Sequence, residues 1–156
     1  MLEIDIPGFG KVKLEYLVSD FTGTLSVDGQ LSPGVRDHLN RIAGFLKIHI
    51  VTADTFGKAK DELEGIPCEI KILKGKGHDI QKEEYVTRIG ADHVVAFGNG
   101  INDRKMLKVA RIGIAVSQKE GCAVEAIRAA DIHVTSARDG LGLLLNTKRC
   151  KATLRF

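Results

Sequence analysis

Short apolar runs alternate with amphipathic stretches from Leu14 to Leu145, and that alternation confines the chain to a narrow class of folds. Leu14–Val18, Lys47–Val51, Glu69–Leu73, His93–Phe97, Ile112–Val116 and Ile132–Val134 read as strands. Between them, helices are predicted over Asp79–Ile89, Asp103–Ala110, Glu120–Ala129 and Ala137–Leu145, the last of the chain. In Asp79–Ile89 the apolar positions are Ile80, Tyr85, Val86 and Ile89. Ser32-Pro33 predicts another helix start, with Ser as N-cap and Pro at the first helical position. Val35, Leu39, Ile42, Ala43 and Leu46 then follow at helical spacing. Thr55–Glu64 is polar but helical, and Gly65-Ile66-Pro67 stops it. Strand, helix and parallel strand repeated at this density imply an α/β class: three layers, α/β/α, Rossmann-like, with a mainly parallel sheet. Leu2–Ile6 and Lys11–Ser19 alternate on either side of Pro7–Gly10 and predict an N-terminal β-hairpin. With no linker, repeat or low-complexity segment, 156 residues read as a single domain, 1–156.

Charge and composition narrow the partners. The formal net charge is +3, but Lys148, Arg149, Lys151 and Arg155 crowd the last ten residues without an acid. The rest is therefore nearly neutral, unlike the broad basic surface of a nucleic-acid binder. Aromatics are 5% with no Trp, which argues against a stacking platform for single strands. The basic tail reads as a solvated end or a subunit contact. The longest apolar stretches, such as Val94–Phe97, are too short for a bilayer, so no membrane is expected. Three cysteines, an odd number without a CxxC, fit a reducing compartment. Without the basic start and apolar run of a signal peptide, the expected location is cytoplasmic.

Ligands of open α/β sheets bind beyond the carboxyl ends of the strands. Three polar clusters stand there: Ser19-Asp20-Phe21-Thr22-Gly23-Thr24, Thr52-Ala53-Asp54 and Gly98-Asn99-Gly100-Ile101-Asn102-Asp103. Together they offer a carboxylate, hydroxyl donors, a glycine turn whose N–H groups suit phosphate oxygens, and hard oxygen ligands for Mg²⁺. These are the parts needed to move a phosphoryl group through a covalent aspartyl phosphate. A lysine would complete the set. Lys74-Gly75-Lys76-Gly77 does not follow the Walker pattern, and the five histidines show no metal-ligand spacing.

Asp20-Phe21-Thr22-Gly23-Thr24 resembles the DxxGT nucleophile motif of the haloacid dehalogenase superfamily, and most closely the DKTGT of P-type ATPases. Thr52-Ala53-Asp54 resembles their TGD, and Gly98–Asp103 their GDGxND. Lys82-Glu83-Glu84-Tyr85-Val86 resembles the segment carrying their motif III lysine. Order and approximate spacing match from Leu14 to about Val134. The resemblance implies a soluble, capless phosphohydrolase of this superfamily, dependent on Mg²⁺ and acting on a small phosphorylated substrate. Asp20 would be the nucleophile, and Thr22 would offer its carbonyl to the metal. Gly23, Thr24, Thr52 and Ala53 would hold the phosphate. Lys82 would pair with it, with Lys76 and Lys74 as the other lysines within reach. Asn99 and Asp103 would stand at the metal side with Asp20. Neither the 20-to-52 nor the 52-to-82 interval has room for a cap domain. Thr24–Leu31, with its Asp28-Gly29 turn, predicts a small flap hairpin instead. Capless relatives often close their sites by oligomerising, so a homo-oligomer is expected.

Two residues depart from the family pattern. Thr22 stands where most phosphatases of the superfamily have an acid/base Asp, a group worth about 10²–10⁴-fold in rate. That implies slow turnover or a long-lived phosphoaspartate. Asn99 stands where the family has a metal-binding Asp, which removes one negative charge. The alternative implied by both is a degenerate module that senses phosphate or binds a phosphorylated partner. Asp54, Asn102 and Asp103 are also residues of types that cap helices.

Overall fold

The computed structural model describes residues 1–156. The chain opens with the hairpin β1 (Leu2–Ile6) and β2 (Gly10–Leu14), paired antiparallel. β3 (Tyr16–Ser19) enters the main sheet, and the flap hairpin β4 (Ser26–Val27) and β5 (Gln30–Leu31) follows. The alternating series is then α1 (Val35–Ile42), β6 (Lys47–Thr52), α2 (Ala59–Glu62), β7 (Glu69–Ile72), α3 (His78–Ile89), β8 (Val94–Gly98), α4 (Arg104–Val109), β9 (Ile112–Val116), α5 (Val124–Ala129), β10 (Ile132–Val134) and α6 (Ala137–Leu145). The chain closes with α7 (Thr147–Leu154).

The main sheet has six strands in the order β10-β9-β8-β3-β6-β7, and every pair is parallel. Period-two alternation along the strands builds two cores. Leu17, Ile48, Ile50, Val95 and Phe97 face α1, α2 and α6. Val18, Val51, Val94 and Ala96 face Val86 of α3, Met106 and Leu107 of α4 and Ala126 of α5. The three-layer expectation therefore holds. Both central strands, β3 and β8, are buried on both faces, and their carboxyl ends lie side by side where Asp20 N–H donates to the Phe97 carbonyl (3.0 Å).

Several local expectations are corrected. The Lys11–Ser19 strand breaks at Glu15: alternation serves the one-sided hairpin up to Leu14, and the doubly buried β3 begins at Tyr16. Ser32 is not the N-cap of α1. Gly34 holds that position at φ 80, and the Ser32 hydroxyl donates to Gln118 Oε1. The Thr55–Glu64 helix shrinks to Ala59–Glu62, because Asp54 adopts φ 53 and its Oδ1 accepts from the N–H groups of Lys58 and Ala59. Ile80 turns outward rather than inward. The Glu120–Ala129 helix begins only at Val124, since Gln118 to Gly121 forms a tight turn with Gly121 at φ 79. The basic tail is not a solvated end: it folds as α7, buries Cys150 in the core and packs on β1, and Phe156 N–H donates to the Pro7 carbonyl.

Candidate active site

The three clusters meet at the carboxyl edge of β3, β6 and β8. Asp20 follows β3 directly and is 6% exposed. Lys82 is brought to it by α3, where it lies four residues before Val86 and seven before Ile89, on the stripe that faces the sheet. Its ammonium donates to Asp20 Oδ1 at 3.0 Å and to Asp103 Oδ1 at 2.6 Å. The side chain is fully buried, so this cation sits between two carboxylates out of reach of water. Lys74 and Lys76, the other two lysines considered, are exposed on the loop before α3, and their carbonyls accept from the Gln81 amide.

Asp103 is held from two sides. Oδ2 accepts from the N–H groups of Asn99 and Gly100, both at 2.9 Å, while Oδ1 meets Lys82. Three of a carboxylate's roughly four lone-pair sites are thereby occupied. Gly98 makes this possible: a Cβ there would stand 2.4 Å from the Asp103 Cβ. The fixed carboxylate also works on its neighbours. Burial, and after it the charge of Asp103, push the Asp20 carboxyl up while Lys82 pulls the other way, and the balance stands at about 6. Burial opposes the Lys82 charge, but Asp20 and Asp103 outweigh it and hold the ammonium above its usual range.

The remaining expected residues line the same spot. Thr24 is buried; its hydroxyl lies 3.0 Å from Asn99 Oδ1 and 3.4 Å from Asp20 Oδ2. Thr52 is buried at the end of β6 and accepts from Asp54 N–H. Ala53 follows it, half-buried. Asp54 turns to the α2 backbone, as a capping residue would. Thr22 Oγ1 is a buried hydroxyl with no hydrogen-bond partner. Gly23 has φ 75, a left-handed conformation that suits glycine, and its bare Cα faces Asn99 Nδ2 and Glu120 Oε2.

Two residues at this edge escape a reading by motif. Gln118 braces the flap: its amide donates to the Thr24 carbonyl (3.0 Å), and Oε1 accepts from Ser32 Oγ and Ala137 N–H. Glu120 accepts from Asp28 N–H at the flap turn. Glu120 sits where a helix start is read and Gln118 in the gap after the Ile112–Val116 strand; Gly121, a helix breaker, is the one local signal that the loop runs on past Glu120.

No helix is long and apolar enough to cross a membrane. Nor do three His, Cys, Asp or Glu side chains gather anywhere as a ready-made metal cage. The oxygen donors around Asp20 nevertheless suit Mg²⁺, which is bound through one or two carboxylates and keeps its remaining places for water and substrate phosphate.

Comparison with known proteins agrees with this arrangement. A family model of haloacid dehalogenase-like hydrolases matches residues 68–143. An uncharacterized protein of Methanocaldococcus jannaschii is 47% identical over 88 residues, covering 56% of this chain and 85% of that protein. An Arabidopsis thaliana protein described as a probable copper-transporting ATPase is 33% identical over 111 residues, 69% of this chain but only 11% of the transporter. Among solved structures, 3-deoxy-D-manno-octulosonate 8-phosphate phosphatase from Moraxella catarrhalis, in complex with magnesium ion, phosphate ion and KDO, superposes with a TM-score of 0.59 at 22% identity, over 91% of this chain and 94% of that one.

Proposed function

The chain belongs to the haloacid dehalogenase superfamily of hydrolases, and from that premise we propose that it is an Mg²⁺-dependent phosphohydrolase working through an aspartyl phosphate on Asp20. The observation that carries this reading is the buried Asp20–Lys82–Asp103 triad at the carboxyl edge of the sheet. Such a site has a nucleophile, a fixed cation beside it and a second carboxylate that holds the cation in place. The substrate would be a small phosphomonoester. One structural neighbour is a phosphatase in complex with magnesium ion and phosphate ion, and this supports both the metal and the substrate class.

Asp20 Oδ1 is held by Lys82, which leaves Oδ2 for attack on phosphorus. The new O–P bond forms as the bond to the leaving-group oxygen breaks, and that oxygen takes up a proton from solvent water. Lys82 offsets the charge on the transferring phosphoryl group, and the Thr24 and Thr52 hydroxyls and the Gly23 turn orient it. Water then cleaves the acyl phosphate, releasing phosphate and restoring Asp20. Bound Mg²⁺ would supply Lewis-acid stabilisation of the phosphoryl oxygens. Asp20, the Thr22 carbonyl, the Asn99 amide and Asp103 would hold it. We place the whole function in one capless domain, with the flap as its cover, and infer a homo-oligomer and a cytoplasmic location.

Hydrolysis of p-nitrophenyl phosphate with Mg²⁺, beside an Asp20→Asn control, tests the reading. Turnover by the wild type alone supports Asp20 as nucleophile. Equal silence of both across several divalent metals overturns it. A degenerate phosphate-sensing module then becomes the better account, and the observation favouring it is that the Asn99 amide oxygen, the stand-in for a carboxylate, already faces the Thr24 hydroxyl.

A further inference from the structure

Asn99 leaves the cation side of the site one negative charge short, and the loop after β9 brings a carboxylate to the same place. Glu120 Oε1 accepts a hydrogen bond from Asp28 N–H in the flap turn (2.5 Å). Its other oxygen faces the catalytic loop. A Cβ built on Gly23 would stand 2.6 Å from Glu120 Oε2 and 2.5 Å from Asn99 Nδ2, so the carboxylate and the amide lie against the same bare Cα. They are also tied through the backbone, because Asn99 Nδ2 donates to the carbonyl of Gly121, the residue after Glu120 (3.2 Å).

We propose that Glu120 supplies the negative charge that Asn99 lacks, as a positioning residue that sets the Mg²⁺ affinity of the site. This rests on the Mg²⁺ reading above. Asp103 has both oxygens taken up, by the ammonium and by two backbone N–H groups, and Lys82 offsets much of the charge of Asp20. Mg²⁺ keeps several waters when it binds, so a carboxylate just outside its ligands acts on it by holding those waters. Glu120 is in the right place for that and is exposed to solvent. Its flap hydrogen bond fixes where the charge stands.

A purely structural role, latching the flap, is separable from this one. Glutamine keeps the Oε1 acceptor for Asp28 N–H and removes only the charge. Calorimetric titration of the whole chain with MgCl₂ alone, without substrate, reads the difference. Glu120→Gln is expected to weaken Mg²⁺ binding about tenfold or more, with an unchanged melting temperature. Adding Asn99→Asp to that variant is expected to recover the loss. Wild-type affinity in Glu120→Gln would overturn the proposal and leave Glu120 as a flap latch. Failure of the underlying Mg²⁺ reading looks different: the wild type itself would take up no Mg²⁺, and Asn99→Asp alone would not create binding, which overturns both.

Discussion

At the scale of single residues, the triad carries opposite demands. Two carboxylates and a lysine out of water are tolerable only together, because removing one partner of a buried ion pair strands the other charge. Lys82→Met is therefore expected to abolish turnover and also to destabilise the fold by about 3–5 kcal/mol at neutral pH, read by urea denaturation. A melting curve like the wild type's would mean that Asp20 and Asp103 do not depend on this cation. Thr22 makes a different prediction. Its hydroxyl has no hydrogen-bond partner to lose, and a carboxylic acid there could donate and accept protons. Thr22→Asp is expected to raise kcat by up to about 10²-fold. An unchanged or lower rate in steady-state assays would show that the missing acid does not limit turnover.

Among the elements, α3 does two jobs with neighbouring turns. Lys82 reaches the site, and three residues on, the Tyr85 hydroxyl lies 2.7 Å from Nδ1 of His49 on β6. Glu69 of β7 stands 3.6 Å from the same nitrogen. Burial holds the His49 pKa below its ordinary value, although Glu69 favours the charge. The unfolded chain therefore binds the proton more readily than the native one, and stability contributed by His49 falls as pH drops below about 6.5. Replacing His49 with Phe removes the proton site, so the wild-type midpoint in urea should fall more than the variant's between pH 7.5 and pH 5. Parallel loss in both would show that other groups govern acid unfolding. The flap is an element of another kind, with only two residues in each strand and a turn at Asp28 (φ 52) and Gly29 (φ 82). Two-stranded hairpins are marginal alone, and Gln118, Glu120 and Glu62 hold this one from outside.

For the whole molecule, the open question is what covers the carboxyl edge. The flap is small, and Phe56, Ile80, Ile101 and Val124 stand exposed in the segments that follow β6, β7, β8 and β9. A second copy of the chain would shield such side chains from water. Size-exclusion with light scattering is expected to give a multiple of 17.0 kDa. A mass of one chain at micromolar concentration would leave the flap as the sole cover.

Local chemistry made much of this legible in the residues alone. Strand and helix order, the place of the flap turn and the three strand-end clusters follow from periodicity, glycine and proline placement and turn preferences, all of which act over a few residues. Ile112–Val116, Ile132–Val134 and Ala137–Leu145 are found where the pattern puts them. What local pattern could not reach is any contact closed over long separations. Lys82 meets Asp20 across 62 residues. Its place on the Val86–Ile89 stripe distinguishes it from Lys74 and Lys76 only once that stripe is known to face the sheet. Glu120 meets the flap across 92 residues, from a segment whose composition resembles a helix start. The tail resembles a solvated end until β1 offers Cys150 and its helix an apolar surface to cover. The residues determined which groups could do chemistry and at which strand ends they stand. Only the folded chain decided which charges share one desolvated spot, because in a buried site the energy of a charge depends on its neighbours in space.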